Sequence, residues 1–256
     1  MSLMLSGVLG SLRGEIRQTA NEKQAVLAKA QAQAGMMLAL QQLSATVARD
    51  TSLPRVWQFE FDGQPIQVRM LALNGLIDLN SAPVELLTAL FRYGAGVEQG
   101  LAGRMAEELG RMRQPQTSDN SPAFEAPEDL MRVPDFRYEY FVLLSDLVTT
   151  DVKIGSGRIN PLFAPLGVLR VLTGGDEQLA GEIAARQDDA TPMIDTSRLP
   201  PAFVEREAPD AFVLVSRVSM PDGGAYQLSW VVHQATDPYS GLPWRVVRSS
   251  SKRLPG

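Results

Sequence analysis

The chain has 256 residues, 45% hydrophobic and 21% charged, and its mean hydropathy of -0.06 suits one large or two modest globular domains with a substantial core. It has no cysteine and one histidine, His233, which excludes disulfides, thiolate chemistry and Cys-ligated zinc and leaves little for a His-based metal site or catalytic triad. The net charge of -5 is uneven: residues 1–74 carry seven Lys/Arg against five Asp/Glu, residues 75–210 carry 12 against 22, and residues 211–256 carry five against two, so the middle is an acidic block and a poor phosphate-binding surface.

Residues 5–49 read as one long helix, with Leu5, Leu9, Leu12, Ile16 and Ala20, then Leu27, Ala30, Ala34 and Leu38, recurring at three- and four-residue steps. No proline occurs before Pro54, and Ala, Gln, Lys, Leu and Met crowd residues 20–42. A helix about 65 Å long projects from its domain, joins a bundle or continues from a membrane anchor, and the alternative reading is an ordinary long core helix. The apolar start, residues 1–12, is itself too short to span a bilayer.

The period then changes. Alternation over residues 56–61 and 66–70, joined by Asp62-Gly63, predicts a β-hairpin over 55–71. Short apolar-periodic segments follow at 83–92, 97–113, 126–133, 137–144, 165–172 and 176–187, with a polar loop at 114–127. Alternation returns over 212–218 and 226–232, and residues 244–247 supply a last strand. Strands on both sides of a helical block predict an α+β domain (1–74 and 206–256, with strands within 211–248) carrying an inserted all-helical domain at 75–205.

Within the insert, residues 75–90 align with 157–172 at an offset of 82, and six of the 16 positions are identical. Each copy leads into a Gly-containing turn and a second helix, so the insert reads as two related helix-turn-helix units. In the first copy, Asn80 or Ser81 is placed to cap a helix beginning near Pro83, with Glu85 at its positive end.

Few residues point to chemistry. Gly94 and Gly96 loosely fit the hairpin of a helix-hairpin-helix nucleic-acid module, whose backbone N–H groups hold a phosphate, but the acidic surroundings do not suit one. Asp119, Glu125, Glu128 and Asp129, and separately Asp188, Asp189 and Asp195, are oxygen-bearing loop clusters that could hold calcium, although no EF-hand pattern is present. His233 falls on the strand face opposite Trp230 and Val232, which predicts a solvated or rim position. No nucleophile elbow, P-loop or metal-type His cluster occurs. The chain reads as a non-enzymatic protein.

The ordered set resembles a known family. A long helix ending in AKAQAQAGMMLALQQL (28–43), a hairpin, Ile77-Asp78-Leu79-Asn80-Ser81-Ala82-Pro83, the stretch PEDLMRVP (127–134) and the second Ile-Asn…Ala-Pro copy at 159–165 look like the minor pseudopilin K of type II secretion systems, the general secretion pathway protein K family. The resemblance runs from about Ser11 to Arg248. It implies a type IV pilin-like fold with a large helical insert, and a place at the tip of the periplasmic pseudopilus, where such proteins help start assembly with the minor pseudopilins I and J, and with H as a further candidate. It also implies inner-membrane anchoring, facing the periplasm of a Gram-negative bacterium, by an apolar N-terminal segment that a prepilin peptidase processes. That segment is missing here, so the expectation is a truncated, soluble form. Some members bind calcium in or near the insert, but no ligand motif here matches theirs residue by residue. The apolar face of the long helix, with Leu27, Ala30, Ala34 and Leu38, is the expected partner interface. Two alternatives stand beside this reading: a nucleic-acid-binding helix-hairpin-helix protein, and a minor pilin of a type IV pilus.

Overall fold

The structure, a computed structural model, describes residues 2–45, 56–114, 122–151, 157–187, 195–237 and 240–254, with side chains of the first helix described from residue 22 to residue 44. The chain divides into two compact units. Unit 1 comprises Met1–Met70 and Val213–Gly256, and unit 2 is the intervening Leu71–Phe212.

Unit 1 is a helix on a sheet. Helix α1 spans Ser2–Ala45, followed by strands β1 (Val56–Phe61) and β2 (Gln64–Ala72). The strands pair antiparallel with Trp57 opposite Val68 and Phe59 opposite Ile66. Asp62 and Gly63, at φ 53° and 69°, make the two-residue turn that an Asp-Gly pair favours. Three more strands, β5 (Ala211–Ser219), β6 (Ala225–His233) and β7 (Arg245–Leu254), complete a five-stranded sheet in the order β1-β2-β5-β6-β7. The last strand is longer than residues 244–247. Its polar run Ser249–Arg253 lacks an apolar alternation, yet pairs with β6 through Leu254, with a bulge at Val231/Val232.

The core of unit 1 lies between α1 and one sheet face. Trp57, Ile66, Val68, Met70, Leu214, Val218, Leu228, Trp230 and Val232 are buried from the strands. Helix α1 buries Ala28, Gln31, Ala32, Met36, Ala39, Leu40 and Leu43, with Gly35 among them. These small residues let the helix close on the sheet. A Cβ on Gly35 would come within 2.5 Å of the Ile66 methyl, so Gly35 meets a packing need that outweighs its poor helix propensity. His233 is half-buried at the end of β6, on the face away from Trp230 and Val232.

Unit 2 holds helices α2 (Val84–Ala89), α3 (Gln99–Met112), α4 (Tyr138–Leu144), α5 (Leu166–Leu172) and α6 (Glu177–Arg186), with a π turn at Leu90–Gly94 and a 3-10 turn at Pro127–Arg132. The expectation that this part is all-helical needs correction. Ile77–Asp78 (β3) and Val148–Thr149 (β4) form a two-stranded parallel sheet, and Ile159 bridges Val204 in parallel. The backbone leading into each helical pair must place its N–H and C=O groups somewhere, and a short parallel ladder satisfies them.

Candidate interaction surfaces and paired loops

The expected partner interface lies on α1. The buried stripe of this helix is Ala28, Ala32, Met36, Ala39, Leu40 and Leu43, which leaves Leu27 and Ala30 exposed and Ala34 and Leu38 half-buried. Val26 and Met37 add apolar surface, at 69% and 55% exposed. The helix is apolar on two sides because Ala-rich sequence serves both close packing on the sheet and a smooth outer face. Leu27 also lines a cleft of about 330 Å³ with Gln24, Ala28, Gln31, Gln64 and the 219–221 turn. Side chains of the more N-terminal positions Leu5, Leu9, Leu12, Ile16 and Ala20 lie outside the described residues, as do helix positions 46–49.

Among the described residues the calcium candidates do not converge. Asp119, Asp188 and Asp189 lie outside the described residues. Glu125 and Glu128 are exposed, and the Asp129 carboxylate accepts from the backbone N–H groups of Glu125 (2.8 Å) and Ala126 (3.2 Å). Asp129 therefore fixes the entry to the 3-10 turn. Asp195 accepts from the Ser197 side chain and N–H, which hold its carboxyl below the ordinary value. Among the described residues no three Asp, Glu or His side chains gather as a metal set.

The two aligned stretches of unit 2 form a matched pair. Helices α2 and α5 start one residue after Pro83 and Pro165, which sit at the same extended geometry (φ -56°, ψ 150° and φ -64°, ψ 158°). Neither Asn80 nor Ser81 caps α2, contrary to the sequence reading. Asn80 instead accepts from the Phe124 N–H (3.0 Å) and donates to the carbonyls of Phe124 (2.8 Å) and Thr150 (3.1 Å), tying three segments together. Ser81 donates to Asp78 at 2.5 Å.

The turns before the helices match atom by atom. The Asp78 carboxylate accepts from the Asn80 N–H at 2.9 Å, and the Asn160 side-chain oxygen accepts from the Leu162 N–H at 3.0 Å. At the far end of each helical pair a C-cap side chain reaches back to clamp two carbonyls. Arg113 donates to Leu79 O (2.5 Å) and Ala82 O (2.6 Å), and Gln187 donates to Pro161 O (2.5 Å) and Ala164 O (2.9 Å). These are equivalent carbonyls at the offset of 82. The first copy thus uses charged side chains, Asp78 and Arg113, at the places where the second uses neutral ones, Asn160 and Gln187.

The copies also interlock. Gly75 lies against the Phe163 backbone carbonyl and Gly157 against that of Ser81, so a Cβ at either would collide with backbone. Each is the first position of its copy meeting the seventh of the other. Gly157 sits at φ 70°, where L side chains are strained. Beside this contact Asn74 and Asn160 both donate to the Glu207 carbonyl, at 3.0 and 2.8 Å.

The electrostatics follow from the charges. Burial raises the Asp78 carboxyl above 3.8 despite opposing hydrogen bonds from Ser81 and Asn80 and the field of Arg113, and Asp151 adds to the rise. Burial likewise pulls the Arg113 guanidinium down to about 10, against the attraction of Asp78. Arg113 remains cationic at neutral pH.

The glycine-containing turns carry their own anions. In the first, the Glu98 carboxylate accepts from the Leu101 N–H at the start of α3 (3.1 Å), and the N–H groups of Gly100 and Leu101 lower its pKa. In the second, Asp176 accepts from the Leu179 N–H at the start of α6 (3.0 Å). Each helix N-terminus therefore already holds a carboxylate.

Asp78, Arg113, Asn160 and Gln187 were not singled out by sequence reasoning. The repeat alignment placed Asp78 opposite Asn160, but nothing in it pointed to Arg113 or Gln187.

No protein-family model and no curated protein matches the sequence. Among solved structures, a chain of the crystal structure of the GspK-GspI-GspJ complex of the type 2 secretion system of enterotoxigenic Escherichia coli is similar with a TM-score of 0.60 and 17% sequence identity. The match covers 93% of this chain and 99% of that one, so the two are of similar length. The likeness shows the fold: a mixed helix and antiparallel-sheet protein similar in structure to a type II secretion pseudopilin.

Proposed function

We propose that this chain is a minor pseudopilin of the K type, which caps the tip of a periplasmic pseudopilus and helps start its assembly for protein export. It acts without catalysis, through interfaces, and its partners are minor pseudopilins of the I and J types. It is held at the inner membrane of a Gram-negative bacterium by an apolar segment N-terminal to the region described. Among the described residues no helix is long and apolar enough to cross a membrane.

The observation that carries this reading is the near end-to-end fold likeness to a chain of the GspK-GspI-GspJ complex. The exposed apolar side of α1 supports it, since a filament subunit packs its neighbours through such a helix. The acidic unit 2 supports placement at an end of the filament, where its bulk obstructs no further subunit. The nucleic-acid reading loses ground at both turns, because Glu98 and Asp176 occupy the N–H groups that a phosphate would need.

The test is to place charge on the outer side of α1. Leu27→Glu with Ala30→Glu, at exposed positions, should abolish secretion when the full-length protein replaces the native one, while the fold stays intact by circular dichroism. Normal secretion and normal partner binding by the folded variant would rule out this face as the interface.

A further inference from the structure

Helix α4 has the sequence YEYFVLL, six of seven residues apolar or aromatic, yet only Leu144 is buried. Leu144 fills the space above Gly94, where a Cβ would lie 2.7 Å from its methyl. On the inner side Phe136 stacks edge-on between Phe91 and Tyr140, with both centroid distances 6.0 Å. These contacts anchor the helix. The outer side has no cover: Tyr138, Val142 and Leu143 are 67%, 59% and 56% exposed, and the adjoining 3-10 turn adds Met131. Such a cluster of large apolar side chains, rimmed by polar residues, marks an interaction surface.

The rim gives the partner's charge. Glu139 lies three and four residues before Val142 and Leu143 on one face of α4, and Asp146 follows in the turn after the helix, so exposed carboxylates stand on both sides of the two apolar residues along the chain. Glu128 and Asp135 extend the acidic border, and among the described residues none of these four acids is in an ion pair. The two nearby arginines are engaged: Arg132 donates to the Ala123 carbonyl and pairs with Asp129, and Arg137 lies over the Tyr140 ring. Arg137 keeps its charge over the ring, so the surface combines an uncovered apolar strip with four unpaired carboxylates against one unpaired guanidinium, a net negative field.

We propose that the outer face of α4 docks a cationic amphipathic segment of a partner protein, an apolar helical run flanked by Lys or Arg. Val142 and Leu143 bury the partner's apolar side chains, and Glu139 and Asp146 bracket them and pair with its flanking cations. The site lies on unit 2 and is independent of α1, so it stands or falls apart from the pseudopilin reading. The acidic rim disfavours an anionic lipid surface and a second copy of the same acidic face.

The test uses the full chain and a fluorescent amphipathic peptide of about 15 residues with Leu at helical spacing, made once with Lys flanks and once with Glu flanks. Anisotropy titration should show the Lys-flanked peptide binding at least about tenfold tighter. Val142→Ser with Leu143→Ser should weaken that binding by about tenfold or more, and Glu139→Lys with Asp146→Lys should reverse the preference. These side chains are exposed, and circular dichroism checks that the variants fold. Equal affinity for the two peptides, no binding by either, or binding unchanged in the Ser variant would overturn the proposal. So would self-association of the full chain, or its binding to phosphatidylglycerol vesicles, if Val142→Ser with Leu143→Ser abolished it.

Discussion

The two aligned copies in unit 2 solve one structural problem with different chemistry. Both must hold the two carbonyls that precede a helix beginning after proline. The first copy does so with Arg113, in the field of the buried Asp78 carboxylate, and the second with Gln187, in a copy whose equivalent of Asp78 is the neutral Asn160. The neutral version shows that charge is not required for the geometry. Arg113 acts on Asp78 through its field and not through a direct ion pair, and a buried charge is costly to desolvate, so the balance between the two matters mainly when one of them is removed. The first copy thus depends on a balance that the second avoids, and this difference can be tested position by position.

The interlock common to both copies should be the most sensitive feature. Gly157→Ala adds left-handed strain and a collision with the Ser81 carbonyl, and is expected to cost about 3–4 kcal/mol in denaturant unfolding. Gly96→Ala, at φ 69° but facing open space, isolates the strain alone and should cost about 1 kcal/mol. Equal effects would mean that the interlock adds nothing.

Next in size is Asn160→Asp, which puts a carboxylate into the neutral copy without a guanidinium opposite it. It also loses the donor to the Glu207 carbonyl. Equilibrium unfolding should show a loss of about 3 kcal/mol at neutral pH that shrinks on acidification. Arg113→Gln should cost about 2 kcal/mol by leaving Asp78 charged, buried and unbalanced. Adding Asp78→Asn, which gives the first copy the residue types of the second, should restore part of that loss in a double-mutant cycle. Simple additivity would show that the two groups do not interact.

The smallest effect is in the pH dependence. The Asp78 pKa is raised in the folded state, so the fold binds more protons than the unfolded chain just above the ordinary value of 3.8. Its contribution to stability therefore falls as pH rises through that window. Glu98, Asp195 and Asp222 have lowered values and act in the opposite sense, losing stability as pH falls through their depressed range. Comparing the native chain with Asp78→Asn isolates the one group: the native chain should gain on the variant as the solution is acidified from neutrality. A constant difference across that range would contradict the assigned direction.

Much of this architecture can be read from residue pattern. The Asp62-Gly63 hairpin declares itself through alternation and a left-handed pair, and the repeat shows because Gly75 and Gly157, Pro83 and Pro165 keep one offset. The carbonyl clamps stay hidden because the two helical hairpins differ in length, so Arg113 and Gln187 drop out of register. Strands β3 and β4 are too short to show a period. On α1 two apolar sides compete, and only packing reveals that Ala28, Ala32 and Met36 face the sheet while Leu27 and Ala30 face out. Helix α4 reads as core from composition alone, and its exposure is visible only once Phe136 and Leu144 are seen to satisfy the inner side.

The most direct test of the proposed role is size-exclusion chromatography of this chain with the soluble domains of I- and J-type minor pseudopilins. A single peak holding one copy of each, lost with Leu27→Glu and Ala30→Glu, is the predicted result. Separate elution of three folded proteins would contradict it.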